Sequence, residues 1–464
     1  MVARSALFKR GAAPTPAPSP NSRGGEWPSP PTHLPRCGRG GQGMRAKGRG
    51  VRWFLCTLLL LSVSLAARAQ AREALPTVTV RALHHAYHNA IVTVALPLST
   101  QHRLTLGPAD RLYLETSDGK ERRSCQLGYT GEYYRPQLSF VEPDLAQGAT
   151  RTYRLRREHA SHPDQPEVRV TPRGPDMEVS IGSALFTRYT THSGPNKPFF
   201  YPILTPDGSP ITRRWPMEAT TDESHDHPHH RGLWFTHGNI NGIDFWSEEK
   251  GTGKTENLAF RRPVSGPVYG GFEAETAWRA PDGKLIATDR RWIRVYALPN
   301  GDRVLDFTIQ IQPTEGLVVF GDTKEGTFGL RVADTLAPAR KQGGHIETST
   351  GNKDGAAWGK AAEWVDYWGP IHGQTYGVAI FDHPGNLRHP QTWHARDYGL
   401  FAVNPFGLHD FGLGPEGAGD YTVPQGGHLT LRYRLLFHRG DTAAAQVAQQ
   451  YAAYADPPQA EARW

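Results

Sequence analysis

Cysteine is the scarcest residue in this chain, with three among 464 residues. Cys37 and Cys56 lie upstream of an expected processing site, which leaves only Cys125. No intrachain disulfide is then available, and a mature chain of nearly 400 residues is large enough to do without one. Helical patterning is also rare. Only Thr442 to Tyr454 has it, with Asp441 placed to cap the run and Asp456-Pro-Pro to end it. A basic surplus is missing once the leader is set aside. Residues 1–69 hold 11 of the 52 Lys and Arg and one of the 45 acids, Glu26; residues 70–464 keep 41 and 44, a net of −3. That balance gives no reason to expect nucleic acid as a partner.

The leader accounts for the remaining imbalance. Residues 1–43 are rich in Pro, Gly, Ser and Arg and have no hydrophobic period, so they read as a misassigned start or a disordered leader. Met44 opens a basic run, Trp53 to Leu65 is apolar, and Ala67-Arg68-Ala69 is a small-x-small site. This is the order of a secretory signal peptide over residues 44–69. The apolar run is too short for a stable anchor, and no other segment is a transmembrane candidate. The expected location is periplasmic or secreted.

The rest of the chain is strands. Thr77 to Arg81 alternates with period two, and similar runs recur at Ile91–Leu98, Phe272–Arg279, Arg291–Ala297, Arg303–Gln312, Tyr376–Phe381 and Leu429–His438. Pro299-Asn-Gly301 marks a hairpin between two of them. The expected fold is all-β: a large antiparallel β-sandwich, with a smaller N-terminal β lobe over 70–175, the main domain over 176–440, and a C-terminal helix and tail over 441–464.

Two stretches concentrate chemistry. The first, Asp222 to Trp246, has five histidines between His225 and His237. Histidine titrates nearest neutrality, so such a cluster suits acid/base work; it also suits a metal. His225, His227 and His237 are the candidate metal ligands, and a divalent ion the possible cofactor, although H-x-H-x-H-H matches no strong metal signature. Pro228 should push His227 into an extended conformation, and Gly232 should open a strand at Leu233–His237. The second stretch, His389 to Tyr398, places Trp393, His394, Arg396 and Asp397 together just before a strand. A tryptophan beside such groups suits a sugar, its face against CH groups and its neighbours on hydroxyls. Between the stretches, Lys324-Glu325 sits at a strand entrance, and Tyr367-Trp368-Gly-Pro370 reads as an aromatic turn.

The motifs D-H-P-H-H-R-G-L-W-F, K-E-G-x-F-G-L-R and W-H-x-R-D-Y-G-L-F-x-x-N-P-F-G resemble the DUF6807 family, often labelled PmoA or "methane oxygenase PmoA", over about residues 180–440. Its members resemble the galactose-mutarotase-like β-supersandwich group, which includes sugar epimerases and polysaccharide lyases. The resemblance implies a carbohydrate context by fold analogy. The leading expectation is a carbohydrate-active isomerase, lyase or hydrolase. His229 or His230 would be general acid and Glu325 or Asp397 general base. Arg231, Trp234, Lys324, Trp393, His394, Arg396 and Asn404 would bind substrate. A non-catalytic carbohydrate-binding protein and a metal-dependent oxidoreductase are the alternatives.

Overall fold

A computed structural model describes residues 75–97, 106–107, 110–130, 135–159, 167–192 and 196–464. The expected leader and signal peptide lie outside the described residues.

The N-terminal lobe is built from β1 (Thr77–Arg81), β2 (Tyr87–Ala95), β3 (Asp110–Thr116), β4 (Arg122–Thr130), β5 (Arg135–Leu145) and β6 (Thr150–His159). All pairings are antiparallel, in the order β2-β5-β4-β3-β6-β1. Alternation makes the core: in β6, Tyr153 and Leu155 point inward between exposed neighbours. Val80, Leu114, Leu138 and Phe140 meet them in a core of their own.

Two eight-stranded sheets form the main body. The first contains β7 (Val168–Arg173), β8 (Asp176–Ile181), β9 (Ala184–Thr190), β10 (Phe199–Ile203), β11 (Leu233–His237), β17 (Gly326–Arg331), β21 (Thr392–Ala395) and β22 (Leu400–Asn404). The second contains β12 (Lys254–Val264), β13 (Tyr269–Arg279), β14 (Leu285–Ala297), β15 (Arg303–Pro313), β18 (His345–Thr348), β19 (Trp364–Ile371), β20 (Gln374–Asp382) and β24 (Leu429–Arg439). A small ribbon pairs β16 (Val318–Phe320) with β23 (Tyr421–Val423). The sheets share one large core, in which Phe235, Phe307, Phe328 and Tyr433 pass from sheet to sheet. This is the expected all-β sandwich.

One difference between the strands locates the site. In β14 inward Ile293 and Val295 alternate with half-exposed Trp292 and Arg294. In β11, β17 and β22 every residue is buried. Such strands are covered on both faces. Their outer cover includes Phe199, Trp234, Trp246, Leu400 and Ala402, with the histidine stretch against it. Gly329, opposite Trp234 in the register, makes room there: a Cβ would fall 2.8 Å from the Trp234 indole.

Three local expectations are corrected. The aromatic turn at Tyr367 is the middle of β19, with Tyr367 fully buried. The helix α1 begins at Val447 and ends at Ala455, although Asp441 does accept the Ala444 N–H at 2.8 Å. The tail after it is a strand: β25 (Gln459–Arg463) pairs antiparallel with β1, residue for residue from Thr77↔Arg463 to Arg81↔Gln459.

Candidate functional site

Three arginines shape the histidine loop. Arg213, fully buried, donates to the Asp226 carboxylate at 2.8 Å and to the carbonyls of Ser224, Asp226, His227 and His230. Arg331, at the end of β17, donates to Asp226 at 2.6 Å and to Ser224 Oγ at 3.2 Å, and meets His230 Nδ1 at 3.3 Å. Arg340 reaches the other oxygen of Asp226 at 3.3 Å. Burial alone would raise the Asp226 carboxyl, but Arg331 and Arg213 hold it below the usual range. These bonds also decide the backbone. His227 adopts φ +45°, not the extended form expected before Pro228. Its carbonyl is fixed by Arg213 and by the His230 N–H, which outweigh the local preference.

The five histidines part company. His225 stacks on Trp215 at 5.0 Å and donates from Nε2 to the Thr220 carbonyl. His227 stacks on His230 at 4.8 Å and on Tyr398 at 5.0 Å. That contact joins the two chemical stretches of the sequence. His229 is half-buried and edge-on to His230 at 4.4 Å; burial, then Lys197 and His227, bring its pKa down to about 4. His230 is 1% exposed, and burial and its cationic neighbours hold it neutral. His237 is buried at the end of β11, donates from Nε2 to the Gly321 carbonyl at 2.7 Å, and is lowered by burial to about 4.

These positions do not suit a metal. His225, His227 and His237 face three different environments. Among the described residues no group of three or more His, Cys, Asp or Glu is arranged to hold an ion. The ligand set expected from the sequence does not converge, because Nε2 of His225 and of His237 is committed to a carbonyl.

The strands around β17 and β22 position the acid. Glu325 follows Lys324 just before β17. The Lys324 carbonyl accepts from His394 Nδ1 at 2.9 Å and from Asn404 Nδ2 at 3.0 Å, and the Thr323 carbonyl from Asn404 at 2.8 Å. His394, on β21, and Asn404, on β22, thus hold the Glu325 loop from behind. The Glu325 side chain is 37% exposed and lies 3.5 Å from the Lys324 ammonium. Burial raises its pKa; Lys324 and His227 pull the other way. The Glu325 carboxyl, His227 and Tyr398 therefore share one patch, since Tyr398 also feels Glu325 and is pushed up by burial to about 12.

Several expected binders have other work. Trp393 is fully buried and donates from Nε1 to the Ala362 carbonyl, so its face is closed to a sugar. Trp234 is 1% exposed and packs on Trp246 at 5.0 Å. Arg231 is no free anion holder: it donates to both oxygens of Glu248, at 3.1 and 2.9 Å. Asp397 is exposed in a turn, and its carboxylate has no ion-pair partner among the described residues. Arg396 does face the site, 5.4 Å from the Tyr398 ring and 5.8 Å from that of Trp358.

The sequence reading missed Lys197. It is fully buried, donates to the Trp246 carbonyl at 3.1 Å, and shares Glu248 with Arg231 at 3.0 Å. Burial lowers its pKa to about 8, against the pull of Glu248. The only signal was a lysine opening the apolar run Pro198-Phe-Phe-Tyr201.

A family model described as "Family of unknown function (DUF6807)" matches residues 176–452, which includes every residue of this site. No curated protein matches the sequence. Among solved structures, a protein in glycosyl hydrolase family 38 and an alpha-mannosidase, both from Enterococcus faecalis, are similar at 13% identity and TM-score 0.33. They align over 86% of this chain and 50% and 48% of their own, so the chain spans about half their length. A likeness this low carries no inference about activity.

Proposed function

The chain belongs to the DUF6807 family, whose description gives no reaction, and from the site itself we propose an exported carbohydrate-active enzyme working by proton transfer between Glu325 and His229. The observation that carries the proposal is the stacking of His227 on Tyr398: His229 lies edge-on to His227 at 5.8 Å, and the Glu325 carboxyl is near enough to act on both stacked rings. The electrostatics support roles opposite to those expected from the sequence. Burial raises the Glu325 carboxyl above its ordinary value, which suits a general acid; His229 stays unprotonated at neutral pH and serves as general base. Two perturbed titratable groups on a solvent-accessible patch are the mark of a functional-site candidate. His230 is too buried to meet substrate and acts by holding its neighbours. Tyr398, its ring taken by His227 and Arg331, offers an edge, half-buried Trp358 offers its ring, and Arg396 and Lys324 offer donors, for sugar hydroxyls. The basic, apolar and small-residue segments between Met44 and Ala69 support export.

A screen of glycans for turnover by the purified protein is the test. Glu325→Gln and His229→Asn are each expected to lower kcat by about 10²–10⁴-fold with an unchanged melting temperature. The pH profile of kcat/KM should lose its alkaline limb in Glu325→Gln and its acid limb in His229→Asn. Full activity in either variant sinks the assignment.

A further inference from the structure

Nearly every cation in the walls of this site already has an acid. Arg213, Arg331 and Arg340 share Asp226; Arg231 and Lys197 share Glu248; Lys324 lies against Glu325. Arg396 differs. Among the described residues its guanidinium has no carboxylate within ion-pairing distance, and it lies over the rings of Tyr398 and Trp358. Its backbone is fixed at both ends: the Arg396 N–H donates to the Leu400 carbonyl at 2.8 Å, and the Arg396 carbonyl accepts from Gly399 N–H and the Tyr367 hydroxyl. A charged fork flanked by aromatic rings keeps its in-plane N–H groups for a ligand, and those groups match two oxygens of one oxyanion.

We propose that Arg396 receives an oxyanion carried by the sugar, so that the site takes an acidic glycan and not a neutral one. This rests on the carbohydrate reading above and names its substrate class. A uronic-acid carboxylate and a sulfate ester supply the same two-oxygen edge. Glu325, the acid of the patch, is offset by the Lys324 ammonium at 3.5 Å. His394, whose Nδ1 proton goes to the Lys324 carbonyl, adds no charge.

The test is calorimetric titration of the Glu325→Gln protein, in which turnover is blocked. The probes are an oligogalacturonate, a sulfated galactan oligosaccharide, and neutral cello- and manno-oligosaccharides. Binding of an acidic probe, weakened about 10- to 100-fold by Arg396→Gln and less by Arg396→Lys, supports the proposal. The uronate and sulfate arms then tell the two oxyanions apart. Binding confined to neutral probes overturns it, as does acidic binding that Arg396→Gln leaves unchanged, or no acidic binding at millimolar concentration. Thermal melts establish that the Arg396 variants are folded, as a half-buried turn residue allows. Failure here leaves the turnover test of Glu325 and His229 standing, since that test is made on the wild-type background and reads kcat.

Discussion

His229 and His237 stand eight residues apart, and both are brought down to a pKa of about 4. The cause shared by both is burial, but the settings differ. His237 ends β11, is wholly enclosed, and gives its one proton to a carbonyl. His229 belongs to a loop, stays half-exposed, and is depressed further by the cations around it, Lys197 foremost. A low pKa in the strand marks a packed side chain. A low pKa in the loop marks a base that can still meet a ligand. Exposure separates the two uses, and titration alone does not.

The comparison breaks most severely at Arg213. Arg213→Met removes the donor to Asp226 and four carbonyls, and should cost about 3–5 kcal/mol in urea unfolding, as when one partner of a buried pair is lost. A cost near that of an ordinary surface change would show that the loop is held by other means.

Acid should separate loop from strand next. A histidine lowered to about 4 in the fold and near 6.5 when unfolded contributes stability that is full above pH 6.5 and lost as pH falls toward 4. For enclosed His237 and His394 that amounts to about 3 kcal/mol each as an upper bound. His438 works with the opposite sign. Burial opposes its charge, but Asp366, 3.0 Å away, raises its pKa, so its contribution is full below the ordinary histidine value and fades as pH rises through the raised one. Melting curves should therefore drop between pH 6.5 and 4. His237→Gln should flatten that drop at the expense of stability at pH 7; an unchanged acid limb would remove His237 from the account.

Gly326→Ala sharpens the comparison from the strand side. A Cβ there overlaps His237 Nδ1 and crowds Asn404 Nδ2. The expected cost is about 1–3 kcal/mol, with a loss of activity beyond the loss of stability because Glu325 is the next residue. The smallest effect should be His225→Ala, within about 0.5 kcal/mol in unfolding and without effect on turnover, since His225 is exposed against Trp215.

Much of the fold was legible because alternation was. β1 falls on the residues whose period-two pattern named it, and β15 and β24 differ only at an end. What escaped were strands without that pattern. β12 reads as a polar edge, β21 as part of a chemical loop, and β25 as a short polar tail; their pairing comes from distant partners. Gly182, at φ +58°, turns the chain between β8 and β9. The site was legible in residue type more than in role. Histidine density and a Trp-His-x-Arg run pointed to the right two stretches. They could not show that Trp393 and Asn404 face inward, or that a lone lysine at position 197 stands behind the loop, because those facts depend on contacts between remote strands.

The pairing of β25 with β1 carries a consequence for how the protein is made. Synthesis runs from the N-terminus, so Thr77–Arg81 leaves the ribosome nearly four hundred residues before its partner Gln459–Arg463. Until the partner arrives, one side of β1 offers unpaired amides and carbonyls to any strand nearby. The lobe that is translated first is thus the last to be finished, and a chain stopped a few residues short would keep its site while leaving an adhesive edge at its other end.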